Sequence, residues 1–79
     1  MYYVYLLQLR NSEIYTGSTP DLERRIGEHR KGMCQSTKLI RPIKLVWYCA
    51  FRSRLAARKF ENYLKKGSGQ AFRNKHLLG

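Results

Sequence analysis

The stretch IYTGSTPDLERRIGEHRKG, residues 14–32, decides the fold, because within it a strand pattern gives way to a helical one. Thr19 suits a helix N-cap, Pro20 the first helical position, and Asp21 and Glu23 the first turn, where carboxylates favour the helix dipole. The helix is expected to run to about Lys31 and to stop at Gly32. Leu22 and Ile26, four apart, are its core contacts. So thin an apolar stripe means that this helix depends on tertiary packing.

Working upstream, YYVYLLQL (residues 2–9) holds no breaker and reads as a strand buried on both faces. RNSE is a turn, and EIYTGS (residues 13–18) is a second strand that closes a hairpin. Gly17 marks a bulge or a close backbone approach. Downstream, residues 33–42 form a polar, basic loop. IKLVWYCAF (residues 43–51) is the strongest strand, with Ile43, Leu45, Trp47, Cys49 and Phe51 expected on one face and Val46, Tyr48 and Ala50 on the other. Ser53 caps a helix through Lys66, with Leu55, Ala56, Phe60, Tyr63 and Leu64 as its apolar side and Gly67 as its stop. Ser68 starts a final short helix that docks Ala71, Phe72 and Leu77 or Leu78. The order ββαβαα implies an α/β fold of the α+β type: a three-stranded, mainly antiparallel sheet flanked by helices.

Composition narrows the function. At 79 residues the chain is one domain, and 43% hydrophobic residues with ten aromatics suffice for a core and argue against disorder. No apolar run approaches the roughly 20 residues that span a bilayer. The first residues read as a strand rather than a signal peptide, so a cytoplasmic location is expected. Cys34 and Cys49 are too few for a zinc site or a disulfide framework, and read as two reduced thiols with Cys49 in the core. Sixteen Lys and Arg against five Asp and Glu give +11, a field that draws polyanions, nucleic acid before acidic membrane. From Arg30 onward the chain carries thirteen of the sixteen bases but a single acid, Glu61. A lone carboxylate in such surroundings has a structural task or a metal to hold.

With the elements placed, the polar residues form a pattern. Tyr3-Val4-Tyr5 and Tyr15-Thr16-Gly17 resemble the two half-motifs of the GIY-YIG nuclease superfamily. Gly17…Leu22…Arg25…His29 resembles the helix that follows them, and FENYLKK offers Glu61 at the place of a metal-binding glutamate. The resemblance covers nearly the whole chain. It is strongest to short stand-alone members related to the nuclease domain of the nucleotide-excision-repair incision subunit. Tyr3 stands where the family has glycine and Thr16 where it has isoleucine, and Asn74 is the candidate for a late asparagine.

The resemblance implies a metal-dependent endonuclease that hydrolyses DNA phosphodiester bonds in repair or recombination. Glu61 would ligate one Mg²⁺ or Mn²⁺ ion. Arg25 would hold the scissile phosphate in its planar fork. Tyr5 and Tyr15 would position or deprotonate the water, given cations that lower the phenol pKa from about 10. His29, one turn past Arg25, would relay or donate a proton. Arg24, Lys31, Lys38, Arg58, Lys65 and Lys66 are the expected contacts to the nucleic acid. Each group also has a plainer role open to it: strand aromatics for the tyrosines, a solvated partner of Asp21 for Arg25, an ordinary helix histidine for His29. Glu61 has Lys65 and Arg58 on its own helix as ion-pair partners. Gly17 is structural on either account, and keeps the helix start open to a phosphate.

The hairpin supplies an internal check. A two-residue turn at Asn11-Ser12 puts Tyr5 and Tyr15 on opposite faces, whereas a three-residue loop or a bulge puts them on one. A shared site requires the second. No separate base-reading module is recognisable, so structure-directed cutting or low sequence specificity is expected on branched or damaged DNA, with a protein partner to direct incision. Two other readings stay open: a nucleic-acid-binding module that keeps the fold but cuts little, and, behind it, a basic RNA-associated protein.

Overall fold

The computed structural model describes residues 1–79. Strands β1 (Tyr2–Gln8), β2 (Ile14–Thr19) and β3 (Lys44–Phe51) form one antiparallel sheet in the order β2-β1-β3. Helix α1 (Leu22–Arg30) follows β2, and α2 (Arg54–Leu64) and α3 (Gly67–Phe72) follow β3. The ββαβαα order and the α+β class are those expected from the sequence. No helix is long and apolar enough to cross a membrane.

β1 takes the centre because its run of apolar residues can be buried on both sides. Tyr5 and Leu7 pack with Leu9, Ile26 and Ile43 beneath α1, while Val4 and Leu6 pack with Ala57 and Leu64 beneath α2. Alternation along one strand thus builds two cores, and each fully buried leucine contributes about 1.5–3 kcal/mol.

The hairpin has a three-residue loop. The Leu9 amide donates to the Glu13 carbonyl at 2.9 Å, which leaves Arg10, Asn11 and Ser12 outside the ladder, with Ser12 at φ 70°. Asn11 supports it, its Oδ1 accepting from the Glu13 amide at 3.1 Å. The resulting register sets Tyr5 opposite Gly17 and Leu7 opposite Tyr15, so the two tyrosines share a face.

The structure corrects three boundaries. Asp21, not Thr19, caps α1, accepting from the Arg24 amide at 3.1 Å. Thr19 is still paired with Tyr3 as the last residue of β2, and its Oγ1 accepts from the Asp21 amide at 3.1 Å, so Pro20 precedes the helix instead of starting it. Gly32, at φ 78°, does end α1, with the Met33 amide donating back to Glu28 and that of Gly32 to His29. Helix α2 stops at Leu64, two residues early, and α3 begins at Gly67.

The faces of β3 differ too. Its pairing with β1 slips between Leu6, opposite Trp47, and Leu7, opposite Leu45, so Val46 is an extra residue. Below this bulge Ile43 and Leu45 join the α1-side core; beyond it Trp47, Cys49 and Phe51 join the α2-side core. The five residues expected on one face are therefore divided between two. The cysteines are both free, with Cys34 the more buried.

Candidate active site

The α1 face of the hairpin gathers three of the expected side chains. The rings of Tyr5 and Tyr15 lie 6.3 Å apart, and His29 lies 5.7 Å from the first and 5.1 Å from the second, centroid to centroid. Tyr5 sits over Gly17 so closely that a Cβ there would fall 2.5 Å from its hydroxyl and 2.6 Å from Cζ. Glycine at position 17 thus makes room for a phenol, and needs no positive φ to justify it.

Tyr5 and His29 are both enclosed, at 1% and 0% exposure. The Tyr5 hydroxyl is 2.8 Å from His29 Nε2, and His29 Nδ1 is 2.8 Å from Thr37 Oγ1. A neutral imidazole has one donor and one acceptor nitrogen, so one hydroxyl donates to the ring and the other accepts from it. Thr37, itself fully buried, belongs to the loop after α1, and nothing in its polar, basic stretch marked it. Turns anchored on the Cys34 carbonyl, which accepts from the Thr37 and Lys38 amides, carry Thr37 inward.

This enclosure opposes the effect of the nearby cations on Tyr5. Burial, and then the neighbouring Tyr15, push the Tyr5 phenol well above its ordinary value, although Arg25 beside it opposes the rise. Burial therefore favours the protonated Tyr5 phenol in the metal-free protein. Tyr15, only half-buried, is the phenol with access to solvent.

His29 is shifted down from its ordinary 6.5, first by burial and then by the Arg25 charge. The sign is definite: the unfolded chain takes up a proton as the pH falls through about 6.5 while the folded chain resists. His29 thus supports folding fully above that value and progressively less below it. Thermal unfolding followed between about pH 8 and 5 should show the midpoint falling with acidification, and a His29→Asn variant should be less stable at the high end with a flatter profile. Parallel profiles would refute a buried neutral His29.

Arg25 is half exposed and pairs with Glu28 at 2.9 Å, not with Asp21. That carboxylate raises its already high pKa, so the guanidinium stays charged. Arg24 occupies Asp21 and Glu28 at 3.7 and 3.5 Å, a solvated pair of modest worth.

Glu61 lies in the other layer. Period two along β2 sends Gly17 towards Tyr5 and α1, and Ser18 towards α2. There Ser18 Oγ donates to Glu61 Oε1 at 2.5 Å, while Lys65 Nζ donates to Oε2 at 2.8 Å. β2 is an edge strand, so the tyrosine group and Glu61 flank one edge and are joined through the dipeptide Gly17-Ser18. Ser18, which sequence reasoning passed over as part of a strand end, is the residue that ties the layers. Lys65 is engaged by Glu61 and is not a free cation. Arg58, Lys31, Lys38 and Lys66 are exposed with no carboxylate partner, as are most of the sixteen bases. Asn74 is exposed in the wide turn after α3, paired with Arg73 at 3.1 Å, and no hydrogen bond ties it to Glu61.

Known proteins resemble this one along most of its length. The family described as the GIY-YIG catalytic domain matches residues 1–75. A UPF0213 protein of Clostridium perfringens is 39% identical over 67 residues, covering 84% of this chain and 72% of its own. One from Staphylococcus saprophyticus is 34% identical over 70 residues, covering 87% and 85%. The solution NMR structure of a UPF0213 protein from Bacillus halodurans superposes with a TM-score of 0.59 at 34% identity, over 94% of this chain and 81% of that one.

Proposed function

Because the chain belongs to the GIY-YIG nuclease family, we propose that it is a divalent-metal-dependent DNA endonuclease whose site wraps the edge strand β2. The observation that carries this reading is the alternation at Gly17 and Ser18, which sets Tyr5 and Tyr15 on one side of a single strand and the Glu61 carboxylate on the other. The substrate is DNA chosen by its structure or with little regard to sequence, in repair or recombination, with a partner protein directing the cut. The unpaired bases support this, since contacts to phosphates position a duplex without reading it.

Arg25 holds the scissile phosphate in this reading. Glu28 fixes one nitrogen of its fork and leaves the others to the phosphate, where charge-assisted bonds strengthen as charge develops. Tyr15 orients the attacking water from the open side of the ring cluster. Tyr5 and His29 are positioning residues: enclosed as they are, they pack against Tyr15 and set its orientation.

Glu61, bonded to Ser18 beside the edge strand, is the carboxylate we assign to the metal. One carboxylate with a hydroxyl beside it suits Mg²⁺ or Mn²⁺, which complete their oxygen shells with water and phosphate. Glu61 would hold the single ion, with Lys65 giving up its place at Oε2. When bound, such an ion supplies Lewis-acid neutralisation of charge on a phosphate oxygen.

Purified protein incubated with branched and linear DNA in Mg²⁺ or Mn²⁺ is expected to release cut strands, and a chelator to stop it. Binding that is indifferent to chelator and yields no product would instead identify a binding module with the nuclease fold. A preference for structured RNA would point to the third reading.

A further inference from the structure

We propose that Arg54 and Arg58 form a seat for the backbone phosphates that flank the cut on the strand being cleaved. The proposal rests on the endonuclease reading above. A cleft of about 310 Å³ opens between α2 and the end of β2, where the edge strand stops at Thr19 and the chain leaves for α1. Tyr2, Ser18, Ala57, Arg54 and Arg58 are among its walls. Ala57, 1% exposed, gives it a small floor.

Three features make the cleft a place for a polyanion. Arg54 and Arg58 stand four apart on one face of α2, like charges that repel in the free protein and settle against an anion. Both are exposed, and neither has a carboxylate within ion-pairing distance. Arg58 is also three residues from Glu61, close enough on a helix to pair with it, yet both Glu61 oxygens go elsewhere, to Ser18 and Lys65. The cleft is therefore cationic despite the acid beside it.

Its position fixes the ligand. Ser18 is at once a wall of the cleft and the donor to Glu61, so the cleft adjoins the proposed cutting site. Measured along the helix axis, Arg58 precedes Glu61 by about 5 Å and Arg54 by about 10 Å. Two guanidiniums in that progression follow a sugar–phosphate chain leading away from the ion site, and the Tyr2 ring offers an apolar wall to the sugar or base between them.

The test is fluorescence anisotropy with a labelled duplex in EDTA, between about 50 and 200 mM salt, followed by incision kinetics in Mn²⁺. In an Arg54→Gln/Arg58→Gln variant the slope of log affinity against log salt should lessen by nearly two units, since each phosphate contact contributes about 0.9. KM should rise at least about tenfold with kcat within about twofold, as expected when uniform binding is lost. A Lys44→Gln/Lys75→Gln control, with the same charge change outside the cleft, should leave both nearly as they were. If the control and the arginine variant behave alike while the wild type cuts DNA, the seat is refuted and the endonuclease reading stands. Wild-type protein that binds no DNA overturns both.

Discussion

Gly69→Ala is expected to cost more stability than any other single methyl added to this chain. A Cβ at position 69 would collide with the Tyr63 carbonyl oxygen and lie 2.5 Å from its carbon, and these are backbone atoms that cannot rotate away. Gly69 is the point at which α3 touches the last turn of α2, and the methyl must push the two helices apart. Phe72, Leu77 and Leu78, which follow, would then lose their packing against the α2-side core. Overpacking alone costs about 1–3 kcal/mol, and undocking these side chains adds to it. A domain of this size has roughly 4–12 kcal/mol in all. The thermal midpoint should drop by more than about 10 °C. A midpoint within about 2 °C of wild type would mean that α3 does not dock as described.

Gly17→Ala should have the largest effect on activity of any substitution outside the groups that meet the substrate. Its Cβ would collide with the Tyr5 hydroxyl and Cζ and come within 3.1 Å of Tyr15 Cε2. Tyr5 is buried and bonded to His29, and its ring lies against that of Tyr15, so the clash is passed on to the phenol pair. A displacement of about 1 Å at catalytic groups costs on the order of 10²-fold in rate. Incision should fall by about that factor, with a stability loss of only about 1–3 kcal/mol. Adding Tyr5→Phe, which removes the atom that clashes most, should recover part of the stability and none of the rate. Wild-type rates in Gly17→Ala would detach the tyrosine pair from catalysis.

How much of this was legible beforehand depended on whether a residue's role lay in its local pattern. The element order was, because YYVYLLQL, the Leu22/Ile26 pair and the run IKLVWYCAF each satisfy one periodicity. The shared face of Tyr5 and Tyr15 was legible only as a requirement of the site, since Asn11-Ser12 fits a two-residue turn equally well. The third loop residue is set by tertiary register and by Ser12 adopting a positive φ. The bulge at Val46 left no mark, for it lies in an unbroken apolar run with no glycine to betray it. Glu61 stood out through its isolation among bases. Its partner Ser18 did not, because a serine at a strand end has many uses. Thr37 was hidden for a related reason: a polar loop residue is normally solvated, and only the fold turns this one inward to His29. Arg25 does act to lower the Tyr5 pKa, as its charge led one to expect, but burial outweighs it, and burial leaves no mark in a local pattern.

The most direct test of a single phosphate-cutting site spanning both faces of β2 is the single-turnover incision rate of wild type, Glu61→Gln and Arg25→Ala on one branched DNA in Mn²⁺. These residues lie in different layers and share no contact, so a common loss separates a joint site from two unrelated surface features. Each substitution should lower the rate by about 10²–10³-fold, the loss typical of removing one group that stabilises transition-state charge, while unfolding midpoints stay near wild type. Wild-type rates in either variant would contradict the account.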